Sequence, residues 1–525
     1  MHGGRRLNSP SENAKRSSTT FERITLAFVL VVAFVLRTRQ IEDFFVGPDD
    51  GAYLHSARVD VIEPGGFHPV RWVEEDVAWI GWFAEHYGEK TVTYPHSYLH
   101  QFTARYFFRF GAGSLQALRM SSALTGVLTV LFAWFFVTRL WPERRRAALL
   151  AAAILAVMPA HVFFSRTGWG QVGFACFYLA YSTLLYRVLF VIEAGDKRAF
   201  RRAGIGMCVY ALLAFGWQEG VAPYIVGSGL VVLLAPYLVG GAKTPFTRRT
   251  WTYVWSAVPV GALTLALALF SSFAQEFWFD KKYPGGIETW GELKVATTKN
   301  LILSQRIDLL FTWIVIALAL FGSIVTLRRN RTFALYAAAS ALFGSAILYF
   351  FFTDAMLVRA YMPVIVALPI FAAFGLDDLS GRARRAAPVV IALVLSLLAW
   401  TSWTTLFGRV HDTFFVQHLY MQTGPSNKDF RDVDRPILEH LISHRDATDT
   451  VGVFGDKSAI FRLQDAGIRA AENYLEGPPE TWPDWIVVSR AMFHGSPHTI
   501  ERGGAYRYVI RDTIDRWNLY ERVER

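Results

Sequence analysis

The 525-residue chain has little charge: Asp, Glu, Lys and Arg make up 18% of it against 53% hydrophobic residues, where soluble domains carry about a quarter charged residues. So apolar a composition excludes a disordered chain and argues against a large soluble enzyme. Cysteine is nearly absent. The two that occur, Cys176 and Cys208, fall inside apolar stretches, so neither a disulfide framework nor a CxxC-type metal cluster is available. Over residues 408–525 there is no G-x-G-x-x-G and no Walker sequence, which argues against a nucleotide site there.

What the chain has in quantity is long apolar runs, and about 17 to 25 such residues suffice to cross a hydrocarbon core. Eleven can be marked, near residues 22–37, 115–140, 147–164, 172–192, 203–217, 220–239, 251–273, 307–327, 332–352, 360–376 and 387–406. The first follows a basic, Ser-rich leader and is followed by Arg37-Thr38-Arg39, not by a small-residue cleavage pattern, so it reads as an uncleaved anchor. Cations gather in every second loop. They stand at Arg5, Arg6, Lys15, Arg16 and Arg23; at Arg139, Arg144, Arg145 and Arg146; at Lys197, Arg198, Arg201 and Arg202; at Lys243, Arg248 and Arg249; at Arg328, Arg329 and Arg331; and at Arg382, Arg384 and Arg385. Retention of Lys and Arg on the cytoplasmic side during insertion leaves this pattern. The net charge of +10 and pI near 9.5 are therefore a record of insertion, not a nucleic-acid surface.

The expected organisation is a cytoplasmic tail over residues 1–23, then an α-helical polytopic membrane domain of about 11 transmembrane helices over 24–407, with an outer loop at 38–114. Residues 408–525 form an extracytoplasmic domain. Short loops and the lack of an ER retention signal point to a bacterial plasma (inner) membrane, with the N-terminus cytoplasmic and the C-terminus outside. The tail has β-like runs at 450–454, 485–489 and 506–511 and helical patterns at 432–443 and 457–466, which together suggest a small α/β domain. It serves either acceptor docking or as a structural lid.

In the outer loop stands Phe44-Phe45-Val46-Gly47-Pro48-Asp49-Asp50-Gly51-Ala52-Tyr53. Adjacent carboxylates at a membrane surface raise each other's pKa unless a cation or donor compensates. One could act as a general base, both could hold a divalent ion, or the pair could be a solvated turn capping a helix. Candidate outer cations are Arg58, Arg105, Arg166, the Lys281-Lys282 pair and Arg359, each equally readable as an interfacial anchor. His55, His96 and His100 are candidate metal ligands, or simply surface histidines. Trp217-Gln218-Glu219 could contact a sugar, with an interfacial Trp belt as the rival reading.

After the acidic pair the chain runs through Tyr94-Pro95-His96-Ser97-Tyr98, then Phe110-Gly111-Ala112-Gly113-Ser114 with Arg119 behind it, then Leu140-Trp141-Pro142-Glu143-Arg144 and Met158-Pro159-Ala160-His161. This order resembles the GT-C glycosyltransferases, in the branch of protein O-mannosyltransferases and aminoarabinose transferases. The similarity covers residues 22–192 well and the rest by topology. It implies transfer of a sugar from a polyprenyl-phosphate donor to a glycan, lipid or protein acceptor at the extracytoplasmic face, with inversion. Asp49 matches the family's base, and Asp50 stands where Glu is usual. Arg359-Ala360-Tyr361-Met362-Pro363 resembles the Arg-x-Tyr-x-x-Pro entry placed beside the carrier.

The chain also departs from the pattern. Tyr94 stands where the aminoarabinose branch has Lys, and Gln171 where relatives often have an acid, which weakens the case for a metal. Tyr53, Tyr94, His96, Gln171, Glu219 and Tyr361 remain as candidate substrate contacts. The rival class is a lipid or sugar transporter or flippase. Coupled transporters place ionisable residues near the midplane in repeated halves, whereas Arg119, Arg187 and Asp308 lie near predicted span ends and no internal repeat is visible.

Overall fold

The computed structural model describes residues 10–39, 41, 98–110, 114–193, 195–238, 246–270, 307–351, 361–407, 435–444, 449–454, 463, 465–472, 483–489, 499–500, 506–514 and 517–524. Asp49, Asp50, Tyr53, His55, Arg58, Tyr94, His96, Lys281, Lys282 and Arg359 lie outside them, as does most of the helical pattern at 457–466.

Helix α1 (Pro10–Thr38) joins the second half of the leader to the first apolar run. Helix α2 (Tyr98–Arg109) packs on α3 (Ser114–Leu140). The run at 147–164 is not one helix. It divides into α4 (Arg145–Val157) and α5 (Pro159–Phe164), with Met158 extended between them, because Pro159 has no N–H to continue the ladder and forces the residue before it out of the helical region. Helix α6 (Gln171–Tyr186) runs into a π-turn at Arg187–Val191, followed by α7 (Lys197–Trp217), a short turn at Glu219–Val221, α8 (Ala222–Leu238) and α9 (Phe246–Phe270). Beyond these come α10 (Ile307–Arg329), α11 (Arg331–Phe351), α12 (Met362–Ala383) and α13 (Ala387–Phe407). Among the described residues, four helical stretches are long and apolar enough to cross a membrane: Leu115–Leu140, Gln171–Val191, Lys197–Trp217 and Met362–Ala383.

Lipid tails are as apolar as leucine, so close backbone approach replaces the hydrophobic effect in joining such helices. Gly227 of α8 meets Gly344 of α11, and a Cβ at Gly227 would lie 2.6 Å from the Gly344 nitrogen. Gly322 of α10 sits on the Phe371 carbonyl and Gly375 of α12 in the same way. At one end of the bundle an ionic cluster ties four helices. Asp377 pairs with Arg144 at 3.4 Å and Arg146 at 3.6 Å, Asp378 with Arg382 at 2.9 Å and with Arg329, and Glu22 with Arg145 at 3.0 Å.

The C-terminal residues include a six-stranded sheet in the order β2-β1-β3-β6-β5-β4. Its strands are β1 (Thr450–Phe454), β2 (Arg469–Glu472), β3 (Trp485–Ser489), β4 (Thr499–Ile500), β5 (Tyr506–Ile514) and β6 (Trp517–Glu524). Strands β2, β1 and β3 are parallel and the rest antiparallel. Helix α14 (Arg435–His444) buries Ile437, Leu438 and Leu441 with Val451, Val453, Val487 and Leu519.

Candidate functional site

The sequence around the end of α1 accumulates cations that apolar helices then bury. Arg37, Arg119 and Arg166 are each at most 1% exposed. A buried guanidinium must find acceptors, and here they are backbone carbonyls. Arg37 donates through Nη1 to Ala33 O and Ala156 O, both at 2.9 Å, and through Nη2 to Leu155 O at 3.2 Å. The Leu155 and Ala156 carbonyls are left without intrahelical partners where α4 stops at Met158, so Arg37 caps the break, aided by a bond from Ser402 Oγ to Val157 O. Gly126 permits this approach: a Cβ there would lie 2.9 Å from Arg37 Nε and collide with the Ser165 side chain.

Arg37 Nη2 is also 2.7 Å from His161 Nδ1. Arginine only donates, so Nδ1 accepts and the ring carries its proton on Nε2. That buried N–H has no hydrogen-bond partner. Arg166 Nη1 donates to Leu36 O at 3.0 Å and Arg39 O at 2.7 Å, and Arg119 Nη1 donates to Ile41 O at 2.7 Å. The three arginines thus hold the end of α1, after which the sequence continues to Asp49 and Asp50.

The segment after α5 is fixed from the other side by α2 and α3. His100, on α2, donates from Nε2 to Gly168 O at 2.8 Å, and its Nδ1 accepts from Ser121 Oγ at 2.6 Å. Burial pushes its pKa down to about 4. Both ring nitrogens are engaged in the fold, which corrects the reading of His100 as a metal ligand. Ser122 Oγ donates to Trp169 O at 2.8 Å. Among the described residues, no group of three His, Cys, Asp or Glu side chains is placed to hold a metal.

Gln171 opens α6, largely buried, with its Oε1 lacking a partner. Trp217 ends α7 with its ring on Gly173, where a Cβ would collide with it, and 5.7 Å from the His100 ring. It is buried and its Nε1 also has no partner. The ring is therefore part of the packed interior, which corrects the reading of Trp217 as a membrane-belt residue. Of the other sequence candidates, Arg105 lies on α2 and Glu219 in the turn after α7, with backbone positions alone described, and Tyr361 is half-buried at the entrance to α12. The structure brings Arg166 and Gln171 together around one loop. It adds Arg37, Arg119 and His161, whose signal in the sequence was a polar residue inside or at the edge of an apolar run.

No protein-family model and no curated protein matches the chain. Solved structures do. ArnT from Cupriavidus metallidurans bound to undecaprenyl phosphate aligns with TM-score 0.55 at 16% identity, covering 96% of this chain and 98% of that one. Its apo state gives 0.59 with the same identity and coverage. The archaeal oligosaccharyltransferase AglB from Archaeoglobus fulgidus, in complex with an inhibitory peptide and a dolichol-phosphate, gives 0.50 at 12% identity, covering 90% of this chain and 70% of that one. These neighbours are GT-C glycosyltransferases, and the chain has their fold.

Proposed function

We propose that the chain is a membrane glycosyltransferase that moves a sugar from a polyprenyl-phosphate donor to an acceptor hydroxyl or amine on the extracytoplasmic face, with inversion. The fold likeness to ArnT, which runs nearly end to end in both chains, carries this reading. The acceptor's oxygen or nitrogen bonds to the anomeric carbon while Asp49 takes its proton. The bond from that carbon to the phosphate oxygen breaks, and the lipid phosphate leaves as an anion. Asp50 orients the acceptor beside it. Such chemistry needs a carboxylate at the acceptor and cations at the leaving group, a role for Arg58, Arg105, Lys281, Lys282 and Arg359. Arg166, with Nη1 on two carbonyls, serves by holding the loop root. Tyr53, Tyr94, His96, Gln171, Glu219 and Tyr361 contact the sugar or acceptor, the unpartnered Gln171 Oε1 being an acceptor for a sugar hydroxyl. The membrane is the bacterial plasma membrane, and residues 408–525 face the same side as the acceptor.

The test is transfer of label from several radiolabelled polyprenyl-phosphate sugars, added to membranes holding the protein, into lipid, protein and glycan fractions. Asp49→Asn should lower transfer by about 10²–10⁴. Full activity in both Asp49→Asn and Asp50→Asn would remove the assignment, and transport of a donor with transfer of none would favour a flippase. Activity lost to EDTA and restored by Mn²⁺ or Mg²⁺ would give the pair a divalent cation to hold.

A further inference from the structure

Helix α14 carries two histidines one turn apart, His440 and His444, whose spacing places them on one face. Their ring centroids are 4.2 Å apart, with 15° between the planes. The helix beneath them is fixed by Ile437, Leu438 and Leu441, all buried in the domain core, which leaves His440 half-buried and His444 exposed beside that face. The bonds around His444 decide its tautomer. Ser443 Oγ donates to His440 O at 2.9 Å, so the hydroxyl proton is used there. His444 Nδ1 is 3.0 Å from the same carbonyl and 2.7 Å from Ser443 Oγ, and both oxygens are left to accept from it. Nδ1 therefore carries the proton and Nε2 the lone pair. His440 is biased the same way, since its Nδ1 lies 3.7 Å from Asp512 Oδ2 on β5 and a carboxylate accepts but cannot donate. Asp512 Oδ1 takes the Thr513 N–H at 2.7 Å, and among the described residues neither of its oxygens pairs with a Lys or Arg. Both Nε2 atoms are without a hydrogen-bond partner among the described residues.

Two helical histidines at i and i+4, each with an acceptor behind Nδ1 and a lone pair on Nε2, have the arrangement of a transition-metal chelate. We propose that His440 and His444 bind a late first-row divalent ion through Nε2, with water in the remaining positions and Asp512 as the outer-shell acceptor that orients His440. Bonds of about 2.0–2.1 Å to one tetrahedral ion set two nitrogens about 3.3 Å apart. The stacked rings reach this by a small turn about χ2, a broad torsion in histidine. Imidazole nitrogen selects Zn²⁺ and its neighbours over Mg²⁺ or Ca²⁺, which take oxygen ligands. The site stands whether or not the chain transfers sugar.

The test uses the full chain in neutral detergent, stripped of metal with EDTA and dialysed, with Zn²⁺ or Mg²⁺ then added. Amide hydrogen exchange read by mass spectrometry on peptides spanning residues 435–444 reports on this helix alone, so zinc held elsewhere in the chain does not obscure it. At a Zn²⁺ concentration ten times its Kd, exchange through opening of the helix should slow about tenfold. His440→Ala and His444→Ala should each abolish that protection, and Mg²⁺ should give none in the parent. Asp512→Asn, which keeps both ligands, should weaken the zinc effect by about 10–100-fold in concentration. Unchanged exchange in the parent with zinc would overturn the proposal without any variant. So would zinc protection that survives in both alanine variants, or equal protection by Mg²⁺. An undiminished zinc effect in Asp512→Asn would overturn the outer-shell role given to that carboxylate.

Discussion

At the scale of single residues, the site is held by side chains whose polar atoms are used on backbone. Arg37→Ala would leave the Leu155 and Ala156 carbonyls and His161 Nδ1 without a donor. A buried group stripped of its partner costs about 1–3 kcal/mol, so the variant should unfold at markedly lower temperature in detergent, and Arg37→Lys should recover part of the loss. His100 carries a pH dependence whose sign is fixed. Its folded pKa of about 4 lies below the ordinary 6.5, so between these values the unfolded chain binds more protons. Its contribution is fully present above about pH 6.5 and fades as pH falls toward 4, a span worth about 3 kcal/mol. Thermal unfolding from pH 7 to pH 4 should fall less steeply in His100→Asn than in the parent. A parallel fall in both would show that His100 is not the titrating group. Arg166 was legible in the sequence as one of the candidate outer cations. Its use was not, because its acceptor Leu36 O lies 130 residues away along the chain, and no local pattern encodes such a pairing.

At the scale of elements, apolar length located the helices well, while their breaks depended on one residue type. The run at 147–164 has membrane length, yet Pro159 divides it, and the freed carbonyls then need Arg37 and Ser402. In the C-terminal region, β-like runs marked β1, β3 and most of β5, whereas β2, β4 and β6 escaped notice. β2 reads Arg-Ala-Ala-Glu, a helix-like composition, and it is a strand only because β1 offers a parallel ladder beside it. Helix crossings lend themselves to a paired test. Gly322 faces the Phe371 carbonyl with no room for a methyl group, while Gly261, within α9, has nothing within 4 Å of a Cβ. Gly322→Ala should part α10 from α12 and lower the unfolding temperature. Gly261→Ala should raise it slightly, since glycine inside a helix costs about 0.5–1 kcal/mol relative to alanine. Equal effects from the two would mean that the crossing is looser than its geometry.

At the scale of the whole molecule, the alternation of loop charge predicts which loops share a side before any contact is known. The ionic cluster brings together Glu22, Arg144, Arg145, Arg146, Arg329, Asp377, Asp378 and Arg382, all beside cation-rich loops. The opposite end gathers Arg37, His100, Arg119, Arg166 and Trp217. Charge pattern grouped the ends correctly because insertion acts on whole loops. The packing of the candidate site was beyond it, since that depends on glycines at Gly126 and Gly173 admitting one arginine and one indole. Which end faces the cytoplasm follows from the positive-inside rule and has a direct test. In a background with Cys176 and Cys208 replaced by Ala, a single cysteine is placed at Arg198, exposed at the basic end, or at Ile442, exposed on α14. A membrane-impermeant maleimide applied to intact cells should label Ile442→Cys at once and Arg198→Cys only after permeabilisation. The reverse order would invert the protein in the membrane. The acidic pair would then face the cytoplasm, and Asp49 could not serve an acceptor on the outer face.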